Sequence, residues 1–178
     1  MKILKKIGLG LLGLIALLLI AALFVSKEFN FEKSITINSP IDNVWENVNS
    51  LKDMDQWSPW MEYDPNMKNE FSGTDGQVGA KNTWDSEVEN VGAGSQEIVE
   101  IIAPTLFKTK LVFIRPFESE ADGFVKLKPD GDKTNVSWGF ESTMSYPFNI
   151  MKLFMNMEES IDKDFTLGLS KLKAICEG

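Results

Sequence analysis

The chain begins with a long apolar segment, and the remainder alternates between apolar and polar positions. Residues Ile7–Val25 form a run of nineteen positions without a charged or strongly polar side chain. At about 1.5 Å per residue, a helix of this length spans roughly 28 Å, close to the hydrocarbon thickness of a bilayer. The segment therefore predicts a transmembrane helix, which would be followed by a separate folded domain.

Three lysines, Lys2, Lys5 and Lys6, precede the apolar segment. Because positive charge favours the cytoplasmic side, the sequence predicts a cytoplasmic N-terminus and an exported remainder. We accordingly divide the chain into an anchor, residues 1–26, and a domain, residues 27–178.

Two other interpretations of the apolar segment stay open. A cleaved signal peptide would need small residues at the cut, whereas Leu23, Phe24 and Val25 are bulky. A helix of a soluble core would show some polar face, and this segment shows none. Both features favour the retained anchor.

The next part of the chain predicts one strand and two helices. Residues Phe31–Ile37 alternate between apolar and polar types, which is typical of a half-buried strand. Apolar positions then recur at spacings of three and four, so residues 40–51 predict an amphipathic helix with Ser39 as its N-cap. Asp53–Trp57 predicts one further short turn of helix.

Beyond residue 66 the apolar period changes to two and predicts six more strands. Glycine, proline and aspartate separate the strands at hairpin-like spacings, which indicates an antiparallel meander. The predicted strands are Met67–Ser72, Ala80–Glu87, Ser95–Ile102, Phe107–Arg115, Ala121–Leu127 and Asn135–Thr143. Helical spacing returns from Phe148 to Ala174, so the chain predicts an α+β domain that ends in one long helix.

The order of these elements and their residues resembles a known family. The positions that carry the resemblance are Ile35-x-Ile37-x-x-Pro40-x-x-x-Val44-Trp45, Leu51-x-x-Met54-x-x-Trp57-Ser58-Pro59-Trp60, Gly79-Ala80-x-x-x-Trp84, Thr134-x-Val136-x-Trp138 and Gly168-Leu169-x-x-Leu172-Lys173. Over residues 31–175 the chain is similar to the START-like superfamily, also called SRPBCC, and within it to the polyketide cyclase/dehydrase group. Most of these positions are packing residues, so the ordered set is more specific than any one motif.

The resemblance implies a helix-grip fold, in which a curved antiparallel sheet of about seven strands wraps around the C-terminal helix. It also implies a hydrophobic cavity between sheet and helix. Members bind lipids, sterols or polyketide-like molecules, some are cyclases or dehydratases, and no cofactor is expected. The N-terminal anchor departs from the typical soluble member.

Composition narrows the available chemistry. The chain has no histidine, which excludes Ser-His-Asp and Cys-His catalysis and any histidine metal site. Its single cysteine, Cys176, excludes an internal disulfide and a four-cysteine zinc site, so we expect no metal. The net charge of −8 combines a +3 anchor with a domain of 15 basic and 26 acidic side chains, net −11. A nucleic-acid partner is therefore not expected.

Aromatic and methionine side chains supply the candidate ligand site. Period-two alternation places many of them on one face of the sheet, while others lie in the loop before it or at the start of the last helix. The candidate ligand-binding residues are Trp57, Trp60, Trp84, Leu111, Phe113, Trp138, Phe140, Met151, Phe154 and Met155. The alternative is a solid aromatic core built from the same side chains.

A catalytic site would need an acid or base inside the apolar cavity. The candidates are Arg115, which shares a strand face with Phe113, together with Tyr146 and an inward-pointing Glu100. Glu97 is the alternative to Glu100 if the strand register differs. Arg115 next to a turn proline also fits a solvent-facing ion pair.

The sequence is compatible with three functions. The leading hypothesis is a membrane-anchored domain that binds a hydrophobic small molecule or lipid without catalysis. The second is an enzyme of the cyclase/dehydratase or hydrolytic type. The third is a protein-interaction module with a filled core. The sequence leaves the oligomeric state open.

Overall fold

A computed structural model describes residues 2–154 and 157–178 of the chain. Seven strands, five α-helices and one 3-10 helix lie within this part. In chain order they are α1 (Lys2–Ala22), β1 (Glu28–Ile37), α2 (Ile41–Trp45), α3 (Leu51–Trp57), α4 (Trp60–Tyr63), β2 (Lys68–Ser72), β3 (Lys81–Asp85), β4 (Ala93–Ile102), β5 (Leu106–Arg115), β6 (Ser119–Asp130), β7 (Lys133–Thr143), the 3-10 helix (Phe148–Leu153) and α5 (Met157–Glu177).

The seven strands form a single antiparallel sheet in the order β1-β7-β6-β5-β4-β3-β2. Strands β2 to β7 are a simple meander, and β1 joins its far edge by pairing with β7 along its whole length. The curved seven-stranded sheet with a C-terminal helix confirms the predicted helix-grip architecture.

The concave face of the sheet carries the core. Trp138 of β7 pairs with Val125 of β6, which pairs with Phe107 of β5, so these three side chains point to the same side. Helix α5 packs against this face through its buried residues Phe165 and Leu169, among others. The core therefore lies between the sheet and α5, as the apolar patterns predict.

The predicted helix over residues 40–51 is wrong in its extent. Helix α2 ends at Trp45, and a new helix, α3, begins after Ser50. The Ser50 hydroxyl accepts a hydrogen bond from the Asp53 amide at 3.1 Å, and Asp75 accepts one from the Leu51 amide at 2.9 Å. Two side-chain caps at this point start a separate helix, because they satisfy amides that a helix N-terminus leaves unpaired.

Ser39 does not cap helix α2, contrary to the prediction. Pro40 occupies the N-cap position and makes no side-chain cap bond. Ser39 is buried, and its carbonyl oxygen accepts a hydrogen bond of 2.8 Å from the Thr134 hydroxyl of β7. The tertiary contact with the sheet has taken the place of the local cap.

The predicted helix from Phe148 to Ala174 is interrupted. Its first part is the 3-10 helix, and only α5 is a regular α-helix. The Asn149 side-chain amide in the first part donates to the carbonyl oxygens of Ala22 and Val25, both at 2.8 Å. These contacts attach the 3-10 helix to the segment that follows α1.

Helix α1 is the one helix in the described part that is long and apolar enough to cross a membrane. It extends from Lys2 to Ala22, so the last three residues of the predicted span lie beyond its end. None of its apolar window is buried against the domain. Length and composition satisfy the requirement for a membrane span, and an N-terminal signal sequence satisfies the same requirement.

Candidate functional site

The concave face divides into a packed half and an open half. The packed half lies on β1, β7 and the adjoining part of β6, under α5. Here Trp138 stacks on Phe165 with ring centroids 4.0 Å apart, and Trp57 meets it edge-on at 4.8 Å. Trp60 completes the cluster at 5.7 Å from Trp138.

Four predicted ligand-binding residues belong to this packed half. Trp57 has no exposed surface, and its indole N–H donates to the Asn47 carbonyl oxygen at 3.0 Å. Trp138 is buried as well, and Phe140 lies 6.1 Å from Phe165. Trp60 contacts Phe165 at 6.2 Å. The rings of these residues pack against one another and against α5, so they form the solid aromatic core that was the alternative to a cavity lining.

The open half lies on β2, β3, β4 and β5. Trp84 and Phe113 face each other edge-on with centroids 5.8 Å apart, and both side chains are only partly buried. Gly94 of β4 pairs with Trp84 of β3 on one side and with Phe113 of β5 on the other. A Cβ atom on this glycine would come within 2.6 Å of the Trp84 ring. A glycine is therefore required for the indole to lie flat on the sheet. Leu111 is partly buried next to this pair.

A group of polar side chains borders the aromatic pair on the same face. Asn82 of β3 stands directly opposite Gln96 of β4, and the Gln96 amide donates to the Thr109 hydroxyl at 3.0 Å. Asn82 is only 6% exposed. Its Oδ1 atom and that of Asn69 on β2 are both buried and lack a hydrogen-bond partner within the described part of the chain. Such atoms cost roughly 1–3 kcal/mol each, so native proteins seldom leave them without a role.

Helix α3 approaches β2 of this half at Lys52. The Lys52 ammonium lies 5.3 Å from the ring centroid of Phe71 on β2, and Asp55 follows three residues later on the same helix face. Burial, and secondarily the negative charge of Asp75, raises the pKa of the Asp55 carboxyl to about 6. Asp55 can therefore exchange a proton near neutral pH, which an ordinary surface aspartate does not.

Arg115 does not join the polar side chains of the open half. Its guanidinium donates to Asp85 at 2.5 Å and to the Ser86 carbonyl oxygen at 3.0 Å, and both members of the ion pair are about half exposed. The structure thus shows the solvent-facing ion pair and not a partnership with a buried carboxylate.

The other two catalytic candidates also lie away from the concave face of these strands. Glu100 points to the convex side, where it pairs with Lys108 at 3.0 Å, because a bulge between Ile98 and Glu100 shifts the register of β4. The expectation that Glu100 points inward is therefore wrong, and Glu97 alternates to the outer face as well. The Tyr146 hydroxyl donates to the Leu19 carbonyl oxygen at 3.2 Å. The three candidates do not meet.

Two further predicted ligand-binding residues, Met151 and Phe154, lie at the junction with α1. Met151 lines a pocket of about 220 Å³ together with Ile15 and Leu18 of α1. Phe154 is 72% exposed at the end of the 3-10 helix, and Met155 lies outside the described residues. A larger pocket of about 670 Å³ adjoins this junction and is bordered by Phe29, among others.

Sequence reasoning missed the polar residues of the open half. Asp55 lies in the segment Asp53–Trp57, for which the sequence predicts only a short turn of helix, and its burial depends on how α3 docks. A signal did exist for Asn82, which alternates with Trp84 and therefore shares its face. No cluster of three or more metal-binding side chains occurs among residues 2–154 and 157–178.

Comparison with known proteins identifies the family. A family model described as polyketide cyclase/dehydrase and lipid transport matches residues 28–177, which is most of the chain. The chain therefore belongs to this family, within the START-like superfamily that the sequence motifs predict. No curated protein sequence matches the chain.

Solved structures share the fold at low sequence identity. A protein of Nitrosospira multiformis is 18% identical, with a TM-score of 0.59 over 82% of this chain and 94% of its own. Ara h 8.0201 is 11% identical, with a TM-score of 0.57 over 84% and 97%. The di-domain aromatase/cyclase StfQ of the steffimycin biosynthetic pathway is 11% identical, with a TM-score of 0.62 over 84% of this chain and 51% of its own.

Proposed function

We propose that this protein is a membrane-anchored domain that binds an apolar small molecule or lipid bearing a hydrogen-bond donor. The ligand would lie in the open half of the concave face, with its apolar part against Trp84, Leu111 and Phe113. Apolar surface next to a few well-placed polar groups is the usual composition of small-molecule sites.

The single observation that carries the proposal is the unpaired Oδ1 atom of Asn82. It is buried on the concave face, on the same side of β3 as Trp84 of the aromatic pair. A ligand hydroxyl or amine would satisfy this acceptor and the similar one of Asn69. The site then prefers an apolar ligand with one or two donors over a pure hydrocarbon, because binding the hydrocarbon would leave both acceptors unpaired.

The anchor places the ligand site beside a membrane. We propose that residues 1–26 stay attached as a transmembrane anchor and that residues 27–178 lie outside the cytoplasm, in the bacterial envelope. The three N-terminal lysines and the long apolar helix support this orientation. An apolar ligand could then exchange with the bilayer over a short distance.

Native mass spectrometry of the full chain, purified in mild detergent from its own membrane, tests ligand binding. The wild type is expected to retain an adduct of one defined mass. Leu111→Ala is expected to lose it, whereas Val112→Ala, the neighbouring residue on the opposite face of β5, is expected to keep it. A wild-type chain that never carries an adduct would contradict the proposal.

A second candidate function is acid–base catalysis by Asp55. The observation in its favour is the raised pKa of this carboxyl, because a general acid works best with a pKa near the operating pH. If Asp55 catalyses a dehydration, the ligand from Asp55→Asn should be heavier than the wild-type ligand by one water molecule. If it catalyses a hydrolysis, the retained substrate should be heavier than the retained product by the mass of the released fragment less one water molecule. Identical ligand masses would exclude this role.

A further inference from the structure

The segment after β7 caps the end of helix α1. The last carbonyl groups of any α-helix lack partners within the helix. Here the buried Asn149 amide donates to the carbonyl oxygens of Ala22 and Val25, and the Tyr146 hydroxyl donates to that of Leu19. Residues more than 120 positions away thus complete the end of the apolar helix.

Lys152 extends the same contact to the linker between α1 and the sheet. Its ammonium group donates to the Glu28 carbonyl oxygen at 2.5 Å and to the Ser26 carbonyl oxygen at 3.4 Å. With these bonds, the linker and the 3-10 helix form one connected unit. The domain is therefore held against the end of α1 and does not hang from a free tether.

The surface of this unit is unusually apolar. Phe24 is 86% exposed, Phe154 is 72% exposed and Leu23 is 68% exposed. Phe148 and Leu153 of the 3-10 helix are each 63% exposed. Exposed apolar side chains that cluster on one surface indicate an interaction site.

We propose that the linker and the 3-10 helix seat the domain on the bilayer surface, with Phe148, Leu153 and Phe154 inserted at the boundary between headgroups and acyl chains. This inference rests on the proposed transmembrane anchor. A helix that spans the bilayer ends at the lipid–water boundary, and the Asn149 bonds hold the 3-10 helix at that end. Phenylalanine and leucine are among the side chains that interfacial segments bury at this depth.

Charge indicates what kind of lipid contact this is. Lys27 and Lys152 lie at the junction. Glu158 and Glu159 line the pocket of about 670 Å³ there together with Lys152, and the domain as a whole has a net charge of −11. Attraction to anionic lipid is therefore weak, and apolar insertion dominates the contact. We expect the seating to occur on zwitterionic lipid alone.

Spin labels on the full chain in phosphatidylcholine vesicles test the seating. In a Cys176→Ser background, nitroxide labels are placed at Phe148→Cys, at Leu153→Cys and at Val78→Cys. Val78 is a matched control, since it is also 63% exposed but lies in the β2–β3 loop at the opposite end of the sheet. A fourth label at Leu12→Cys reports on the anchor.

The labels at 148 and 153 are expected to be severalfold less accessible to a water-soluble nickel chelate than the label at 78, and more accessible to oxygen. If the label at position 12 is in lipid while the labels at 148 and 153 are as accessible to the chelate as the label at 78, the domain does not insert into the bilayer surface but the transmembrane anchor is supported. If the label at position 12 is also in water, both the insertion and the anchor are contradicted. Neither result alters the ligand test on the concave face, which is measured separately.

Discussion

Gly168 of α5 lies directly against the indole ring of Trp138. A Cβ atom on the glycine would come within 2.6 Å of that ring. The contact lets α5 approach the sheet closely enough for Phe165 to stack on the same indole. The packed half of the concave face therefore depends on the absence of one side-chain atom.

Gly168→Ala is expected to destabilise the domain. Overpacking of a well-filled core costs about 1–3 kcal/mol, and a Cβ atom 2.6 Å from a rigid indole belongs to the upper part of that range, about 2–3 kcal/mol. The higher helix propensity of alanine offsets about 1 kcal/mol of this cost. We expect a net loss of about 1–2 kcal/mol in the free energy of unfolding, measured by denaturant titration. Ser170→Ala, at an exposed position two residues along the same helix, is the control and should change little. A neutral or stabilising Gly168→Ala would contradict the packing account.

Asp55→Asn is expected to change how stability depends on pH. The carboxyl keeps its proton up to about pH 6 in the folded state, whereas the unfolded chain releases it near the ordinary value of 3.8. Between these values the unfolded chain binds fewer protons, so the contribution of Asp55 to the free energy of unfolding falls as pH rises.

The free energy of unfolding of Asp55→Asn, relative to that of the wild type, should therefore rise by about 1–2 kcal/mol between about pH 4 and pH 7. This figure allows for solvent screening of a partly exposed group. Denaturant titrations at several pH values measure this difference. Asp132→Asn, at an exposed turn, should show no such gain. A difference that stays constant with pH would show that the Asp55 carboxyl titrates normally.

Asn149→Ala is expected to loosen the junction between α1 and the domain. The substitution removes two hydrogen bonds from a fully buried amide and leaves the Ala22 and Val25 carbonyl oxygens without these partners. Trypsin should then cut after Lys27 severalfold faster than in the wild type, because cleavage requires local opening of the linker. Asn47→Ala, which loses only a local amide bond to Asn43, should leave the rate unchanged. An unchanged rate in Asn149→Ala would contradict the capping role.

Arg115→Ala is expected to have little effect. Its ion pair with Asp85 is about half exposed, and such pairs contribute about 0–1 kcal/mol. The ligand adduct in native mass spectra should also persist, because the hydrogen bonds of the guanidinium go to Asp85 and to the Ser86 carbonyl oxygen. Loss of the adduct in this variant, with stability retained, would show that Arg115 takes part in ligand binding.

The sequence was sufficient for most of the fold. Alternation of period two located all seven strands, and the faces assigned to Trp138 and Phe113 agree with the observed register. These predictions succeed because a strand with one buried face has a fixed relation between sequence and side-chain direction.

The errors occurred where distant residues decide local structure. Asp75 and Ser50 begin α3, Asn149 is held by the end of α1, and a bulge turns Glu100 outward. Burial of Asp55 likewise depends on how α3 docks. These effects depend on residues that are far apart in the sequence. The local pattern of apolar and polar positions therefore could not reveal them.

Photocrosslinking in the native membrane tests the central claim most directly. A benzophenone amino acid is placed at position 84, on the concave face, or at position 83, where Thr83 points to the convex face of the same strand. The account predicts a crosslinked adduct of small-molecule mass at position 84 and none at position 83. No adduct at either position, or equal adducts at both, would contradict a ligand site in the open half of the concave face.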